Sequence, residues 1–334
     1  MKTPRNTFRS ISRSTRYSCV LVGLMAIFLI VAGFYHKQGL SRFIARAAYP
    51  LTIAFVVLGH ILLTDLGSNL IVATFVPVLF GAVAITLLEN FFPYRLQWRP
   101  VSRDILTDMT YMLLVQSVLP KILGFSVAIF ILDSLHALPK SILEVWPHHW
   151  SLFAQLVLMF LASEFLRYWV HRLSHSWNPL WRFHAVHHSP RKIYWMNVGR
   201  FHPLEKSLQF IFDTLPFLIL GVSESVVALY FVFYATNGFF QHSNISVQLG
   251  IFNYVVSGPE LHRWHHSKIA KESNRNFGNN LIIWDLIFGT WFLPKGQAVT
   301  ELGLINPDYP DTFTSQLKAP FIKGLDKRGL EETS

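Results

Sequence analysis

The sequence predicts an all-α integral membrane protein: a helical bundle of about four to seven membrane helices with a histidine-rich helical cap on its cytoplasmic side. Three observations lead there. Of 334 residues 51% are hydrophobic and only 14% are charged, far from the balance of a soluble domain. Apolar runs close to membrane-spanning length recur along the chain. Ten of the fifteen histidines crowd between positions 171 and 266.

Taken in order, residues 1–17 are a basic leader carrying Arg5, Arg9, Arg13 and Arg16. The run 18–35 approaches the ~20 residues a span needs, and no small-residue cleavage site follows, so it reads as a retained signal anchor. Runs at 48–64, 69–92, 110–134 and 151–170 are candidate spanning helices, divided by short polar or proline-bearing links such as FFPYRLQWRPVSRD. Leu208 to Leu220 and Val226 to Phe240 are shorter and joined by GVSES, which predicts a helical hairpin entering and leaving from one side. Past Trp291 the chain turns polar and proline-rich and reads as a tail with little core of its own. The expected division is a leader (1–17), N-terminal transmembrane helices (18–150), a histidine-bearing domain (151–293) and a polar C-terminal tail (294–334).

A net charge of +10 invites a nucleic-acid reading, but the basic residues stand at the ends of apolar runs and form no continuous stripe. Cytoplasmic loop bias and anionic headgroups explain them more simply, so no nucleic-acid partner is expected. Segments 94–103 and 171–206 are basic while 135–150 is not, which places the histidines on the cytoplasmic side of a bacterial inner membrane or an ER-type membrane. Cys19 is the only cysteine, so neither a disulfide framework nor a thiolate metal site is available. Any metal must be held by nitrogen or oxygen.

The histidines fall into spaced groups: HRLSH (His171, His175), HAVHH (His184, His187, His188) and HRWHH (His262, His265, His266), with His202 in RFHPLE and His242 in QHSN. On a helix, positions i, i+3 and i+4 share one face, so each group aims two or three imidazoles at one point. Eight imidazoles exceed what one ion needs and match two ions in neighbouring sites. Clustered without an ion, they would leave unsatisfied donors and acceptors or mutually repelling cations. His242 reads as a further ligand. His202 reads two ways, as a ligand or as the residue before a helix whose first position is Pro203. Glu205, Asn244 and Asp285 are candidate acceptors that would fix imidazole tautomers from behind. The competing reading is a histidine-rich transmembrane zinc transporter or binding protein, which would spread ligands through several spans rather than group them at one side.

These boxes, with RFHPLE, QHSN, GPELHRWHHS and NFGNNLIIWDLIFGTWF, resemble the fatty acid hydroxylase and sterol desaturase superfamily from about Ser163 to Leu293. The resemblance implies an integral membrane non-haem di-iron oxygenase in which the eight box histidines are ligands to two iron ions, His242 joins them, and the NFGNN segment packs under the last box. It implies O2 as co-substrate and hydroxylation or desaturation of a fatty acyl, alkyl-ether, ornithine-lipid or sterol-like molecule. One departure is visible: where the family often has a second histidine after the position of His242, QHSNIS offers Asn244 and Ser246. Trp181, Tyr194, Trp195, Phe239, Phe240 and Trp264 are candidates to line the pocket, and Arg200 and Lys206 either meet a lipid headgroup or mark the cytoplasmic face. With no dinucleotide fingerprint, cysteine cluster or haem domain, electrons must come from an external ferredoxin or cytochrome b5-like donor with its reductase.

Overall fold

The computed structural model describes residues 37–135 and 145–326; the basic leader and the expected anchor at 18–35 lie outside them. Helix α1 (Lys37–Asp65) starts well before its apolar run, because Ala45, Ala48 and Tyr49 already pack into the core. Helix α2 (Leu70–Phe91) is capped by the Asn69 side chain, which accepts from the Ile71 amide at 2.8 Å. Helix α3 (Ser102–Thr110) runs through a π-helical stretch, Tyr111–Val118, into α4 (Leu119–Leu135). Helix α5 (Leu152–Ser176) is capped by Ser151.

Among the described residues, four helices are long and apolar enough to cross a membrane: Gly39–Asp65, Leu70–Phe91, Ser102–Val127 and Leu152–Ser176. Their outer faces carry bare Phe55, Ile71, Leu79, Leu113 and Phe153, as lipid contact requires.

The cap follows: α6 (Asn178–His188), α7 (Pro203–Asp213), α8 (Leu215–Ile219), α9 (Glu224–Gln241) and α10 (Pro259–His265), then the short α11 (Ala270–Ser273), α12 (Ile283–Ile287) and α13 (Phe313–Gln316). The expected hairpin is the α7–α8–α9 unit, which turns at Gly221 with φ +67. Helix α9 packs against α1, α2 and α5, and Val56, Ile85, Val232, Phe240 and Ile245 are wholly buried among them.

Three buried carboxylates fasten the cap to the membrane helices. Glu89 of α2 accepts the amides of Trp195 and Asn244, each at 2.8 Å. Asp108 of α3 takes Arg200 at 2.6 Å through Nε and accepts the Tyr194 hydroxyl. Glu164 of α5 takes the amides of Asn279 and Asn280 and the Asn280 side chain at 2.6 Å. Glu89 and Glu164 each cap a loop whose own backbone groups would otherwise lie unpaired in a buried setting, and Asp108 pairs two buried side chains.

The segment after Trp291 is better packed than its composition suggests. Val299, Leu302 and Leu304 are buried against Trp264, Ile193 and Trp181, and the Trp181 indole donates to the Asp326 carbonyl at 2.8 Å. It has no core of its own but completes the cap's.

The π stretch holds one more residue per turn than an α-helix and so turns Met112 and Gln116 toward the cap. Gln116 donates to the Gly199 carbonyl at 3.2 Å, and a Cβ on Gly199 would stand 2.5 Å from the Met112 sulfur. Gly199→Ala is therefore expected to lower stability by about 1–3 kcal/mol. Gly124→Ala, where a Cβ meets nothing within 4 Å, is expected to be neutral or to stabilise by about 0.5–1 kcal/mol. Thermal midpoints in detergent distinguish the two.

Candidate active site

All four histidine groups lie at helix C-terminal ends. His171 and His175 sit in the last turns of α5, and His184, His187 and His188 in those of α6. His242 caps α9; His262 and His265 lie on α10, with His266 as its cap. The partial negative charge at a helix C-terminus favours a cation, so four helix ends point the same electrostatic preference at one place. Ser189 follows α6 and Pro190 does not extend it, consistent with the restriction proline places on its neighbour.

The nine side chains gather into two adjacent groups. One contains His171, His175, His184, His188 and His265; the other contains His187, His242, His262 and His266; in each, the candidate ligand atoms lie within 4.8 Å of one another. The groups touch through the stacked rings of His188 and His266, 4.4 Å between centroids.

The tautomers follow from the outer contacts. His171 Nδ1 meets the Phe277 carbonyl at 2.7 Å, His187 Nδ1 the Arg200 carbonyl at 3.2 Å, and His265 Nδ1 the Arg275 carbonyl at 2.8 Å. His184 Nδ1 meets Glu205 at 2.6 Å, His242 Nδ1 the Asn197 Oδ1 at 2.7 Å, and His175 Nδ1 the Asn274 Oδ1 at 3.1 Å. Backbone and amide carbonyl oxygens only accept, so on His171, His175, His187, His242 and His265 Nδ1 carries the proton and Nε2 is a bare lone pair; on His184 the same holds once Glu205 is ionised.

The Nε2 atoms of the two groups face one another. His184 and His171 are 3.1 Å apart, His188 stands 3.1 Å from each of His175, His184 and His265, and His262 lies 3.0 Å from His242 and 3.1 Å from His266. Lone pairs at that distance repel unless a cation lies between them. An ion about 2.1 Å from imidazole nitrogens set at right angles gives nitrogen pairs about 3.0 Å apart, so the spacing fits metal ligation.

Burial pushes His184, His187, His188, His242, His262 and His266 well below the ordinary imidazole range, with neighbouring imidazoles adding to it, and brings His265 down to about 4. The side chains are neutral at pH 7, the form that binds metal. Burial lifts the Glu205 carboxyl to about 8 against the pull of Arg167 and Gln209. A cation on the far nitrogen of His184 would strengthen the Nδ1 donor and return Glu205 to its charged form.

The other sequence candidates stand elsewhere. His202 joins neither group: its Nδ1 accepts from the Leu204 amide at 3.2 Å, and its Nε2 meets the Leu317 carbonyl at 3.2 Å, so it serves as a helix cap before Pro203. Asn244 is spent on the backbone of Arg95, with both its bonds at 2.9 Å. Asp285 acts one step removed, taking the Phe277 and Gly278 amides at 2.8 and 2.7 Å and so holding the loop whose carbonyl meets His171. Asn276 adopts φ +56, which asparagine tolerates, and grips the Leu261 and Phe292 carbonyls at 3.0 and 2.7 Å.

A largely apolar cavity of about 430 Å³ reaches His171, His184, His187, His242 and His262. Of the expected aromatic residues, Trp195 and Phe239 line it. Trp181 instead lies against the rings of His175 and His188, Tyr194 is committed to Asp108, Phe240 packs on Tyr49, and Trp264 joins Ile193 and Trp98. Arg200 is paired with Asp108, whereas Lys206 faces the cavity.

Residues 156–290 match the family profile for fatty acid hydroxylases. The chain is 32% identical over 247 residues to the ornithine lipid hydroxylase of Rhizobium tropici, covering 72% of each protein.

The chain belongs to the fatty acid hydroxylase family.

It is also 31% identical to human alkylglycerol monooxygenase, over 48% of this chain and 35% of that one, and 26% identical to methylsterol monooxygenase 1-2 of Arabidopsis thaliana, over 43% and 48%. No solved structure gives a significant match. Membership makes this fatty acid hydroxylase homologue an enzyme, an oxidoreductase of the hydroxylase and monooxygenase type. The zinc-transporter alternative finds no support, since the nine histidines meet at one place rather than along a path through the bundle.

Asn197 and Asn274 escaped the sequence reading, and each orients one imidazole. Asn197→Ala, Asn274→Ala and Glu205→Ala are each expected to weaken binding of a divalent ion about 10–100-fold, read by competition with a chelator.

Proposed function

We propose that the two histidine groups hold two iron ions, one to each, and that the protein uses O2 to hydroxylate a C–H bond of a membrane lipid. The observation that carries this reading is the convergence of Nε2 atoms at 3.0–3.1 Å, with the Nδ1 of six of the nine rings tied from behind. Such a pair, when bound, supplies the change of valence that O2 activation needs and that zinc lacks.

The chain's own part is to orient and to exclude water. The helix ends and the Nδ1 acceptors hold the imidazoles, and the apolar cavity beside His171, His187 and His242 holds the hydrocarbon of the substrate. The names of the ornithine lipid hydroxylase and alkylglycerol monooxygenase relatives favour hydroxylation over desaturation and a lipid of the fatty acyl, alkyl-ether, ornithine-lipid or sterol-like kind. Residues 151–293 form the catalytic domain in this reading, supported by the family match over 156–290. The histidine side faces the cytoplasm, where a ferredoxin or cytochrome b5-like donor with its reductase delivers electrons.

Purified protein is expected to contain iron and to consume O2 only with a reductant and a lipid. Chelation should abolish the activity, ferrous iron should restore it, and zinc should not. Lipids from cells carrying the protein should gain species heavier by one oxygen; their absence, with no reductant-dependent O2 uptake, would overturn the reading.

A further inference from the structure

The cavity is not uniformly apolar. Partway along it stand Arg167, Lys206 and Asp213, all nearly inaccessible to solvent. Arg167 and Asp213 pair at 3.4 Å, and Asp213 also accepts from Thr214 at 2.9 Å. Lys206 has no carboxylate within ion-pair distance among the described residues; its Nζ donates to the Tyr234 hydroxyl at 3.2 Å and lies 5.6 Å from that ring's centroid. An ammonium has three donors, and at 7% exposure Lys206 spends one on Tyr234. A buried cation left short of an anion is costly, and this one opens on the space where the substrate must lie.

Its position relative to the histidines is also fixed. The Lys206 ammonium and the Arg167 guanidinium are each 6.0 Å from the centroid of Phe201, and Phe201 stacks on His187 at 4.0 Å and 11°. Along α9 the lining residues run from Val227 to His242, a rise of about 22 Å, and Tyr234 stands about halfway. The remaining wall toward Phe75 and Leu79 is mostly apolar, with Gln116 and Ser117 its polar members, and Phe75 and Leu79 are themselves exposed on membrane helix α2.

We infer that Lys206, beside Arg167, binds an acidic group of the lipid substrate, a carboxylate or phosphate, and that the oxidised carbon is set by its distance from that group. This rests on the reading of the protein as a lipid hydroxylase. The lining supports it: Asp213 is the one carboxylate among the described residues of the cavity walls and is taken by Arg167, so the Lys206 ammonium is left to meet an entering anion. The bond from the ammonium fixes one end of the chain, and the distance to the histidines then selects the carbon as a ruler does.

Two experiments test it. In zinc-loaded protein, where the metal fills the histidine cage without turnover, the part of the tryptophan quenching that is lost in Trp195→Phe, measured with a brominated hexadecanoate and with the matching brominated hexadecanol, gives the preference for acid over alcohol. That preference should fall about tenfold in Lys206→Gln and recover in Lys206→Arg; an unchanged preference in Lys206→Gln overturns the assignment. In wild-type holoenzyme, acids of increasing length should be oxidised at a constant position counted from the acidic group; a position constant from the methyl end overturns it without need of any variant. Acid-selective binding with no oxidation of any lipid would sink the hydroxylase reading and leave the anion site standing, whereas oxidation without acid preference would do the reverse.

Discussion

Mutual repulsion among buried lone pairs is the constraint around which this molecule is arranged. Nine imidazoles from four helix ends crowd their ring nitrogens together, and on six of them an oxygen behind Nδ1 draws the proton away from the centre. A protein interior tolerates such a cluster only with positive charge inside it. The negative ends of α5, α6, α9 and α10 ask for the same thing, so backbone and side chains agree.

The rest of the cap maintains that geometry. Asn274, Arg275 and Phe277 come from one short stretch and restrain three histidines of the five-membered group. Asn276, Asp285 and Glu164 lock that stretch in turn to α10, to its own turn and to α5. For the four-membered group the work falls to residues 194–200, where Asn197 and the Arg200 carbonyl meet His242 and His187, and Asp108 and Glu89 of the membrane helices hold the segment. The transmembrane helices are thus part of the site's support and not only its anchor.

What could be read from the sequence follows from this. The box histidines were legible because side chains that meet at one point from a helix leave a period of three and four, and the spanning helices because lipid contact demands unbroken apolar runs. Of the tautomer-fixing groups Glu205 was legible, but half are backbone carbonyls, which any residue supplies, as Phe277, Arg275 and Arg200 do. Proximity in sequence does not decide place: His202 and Asn244 sit among the box histidines along the chain, yet His202 takes the helix-start place that was one of its two readings and Asn244 straps Arg95. The tail's composition gave no sign that Leu302 and Leu304 would close the cap, because its apolar residues are few and lack periodicity.

The outer wall of the cavity has a consequence for kinetics. Phe75 and Leu79 line the cavity while remaining exposed on a helix long enough to cross the bilayer, which offers a hydrocarbon chain an approach from the lipid. The concentration that governs turnover is then the mole fraction of substrate in the surrounding lipid. Adding inert lipid or detergent at constant total substrate dilutes it in two dimensions and slows the enzyme, although nothing changes in the aqueous phase.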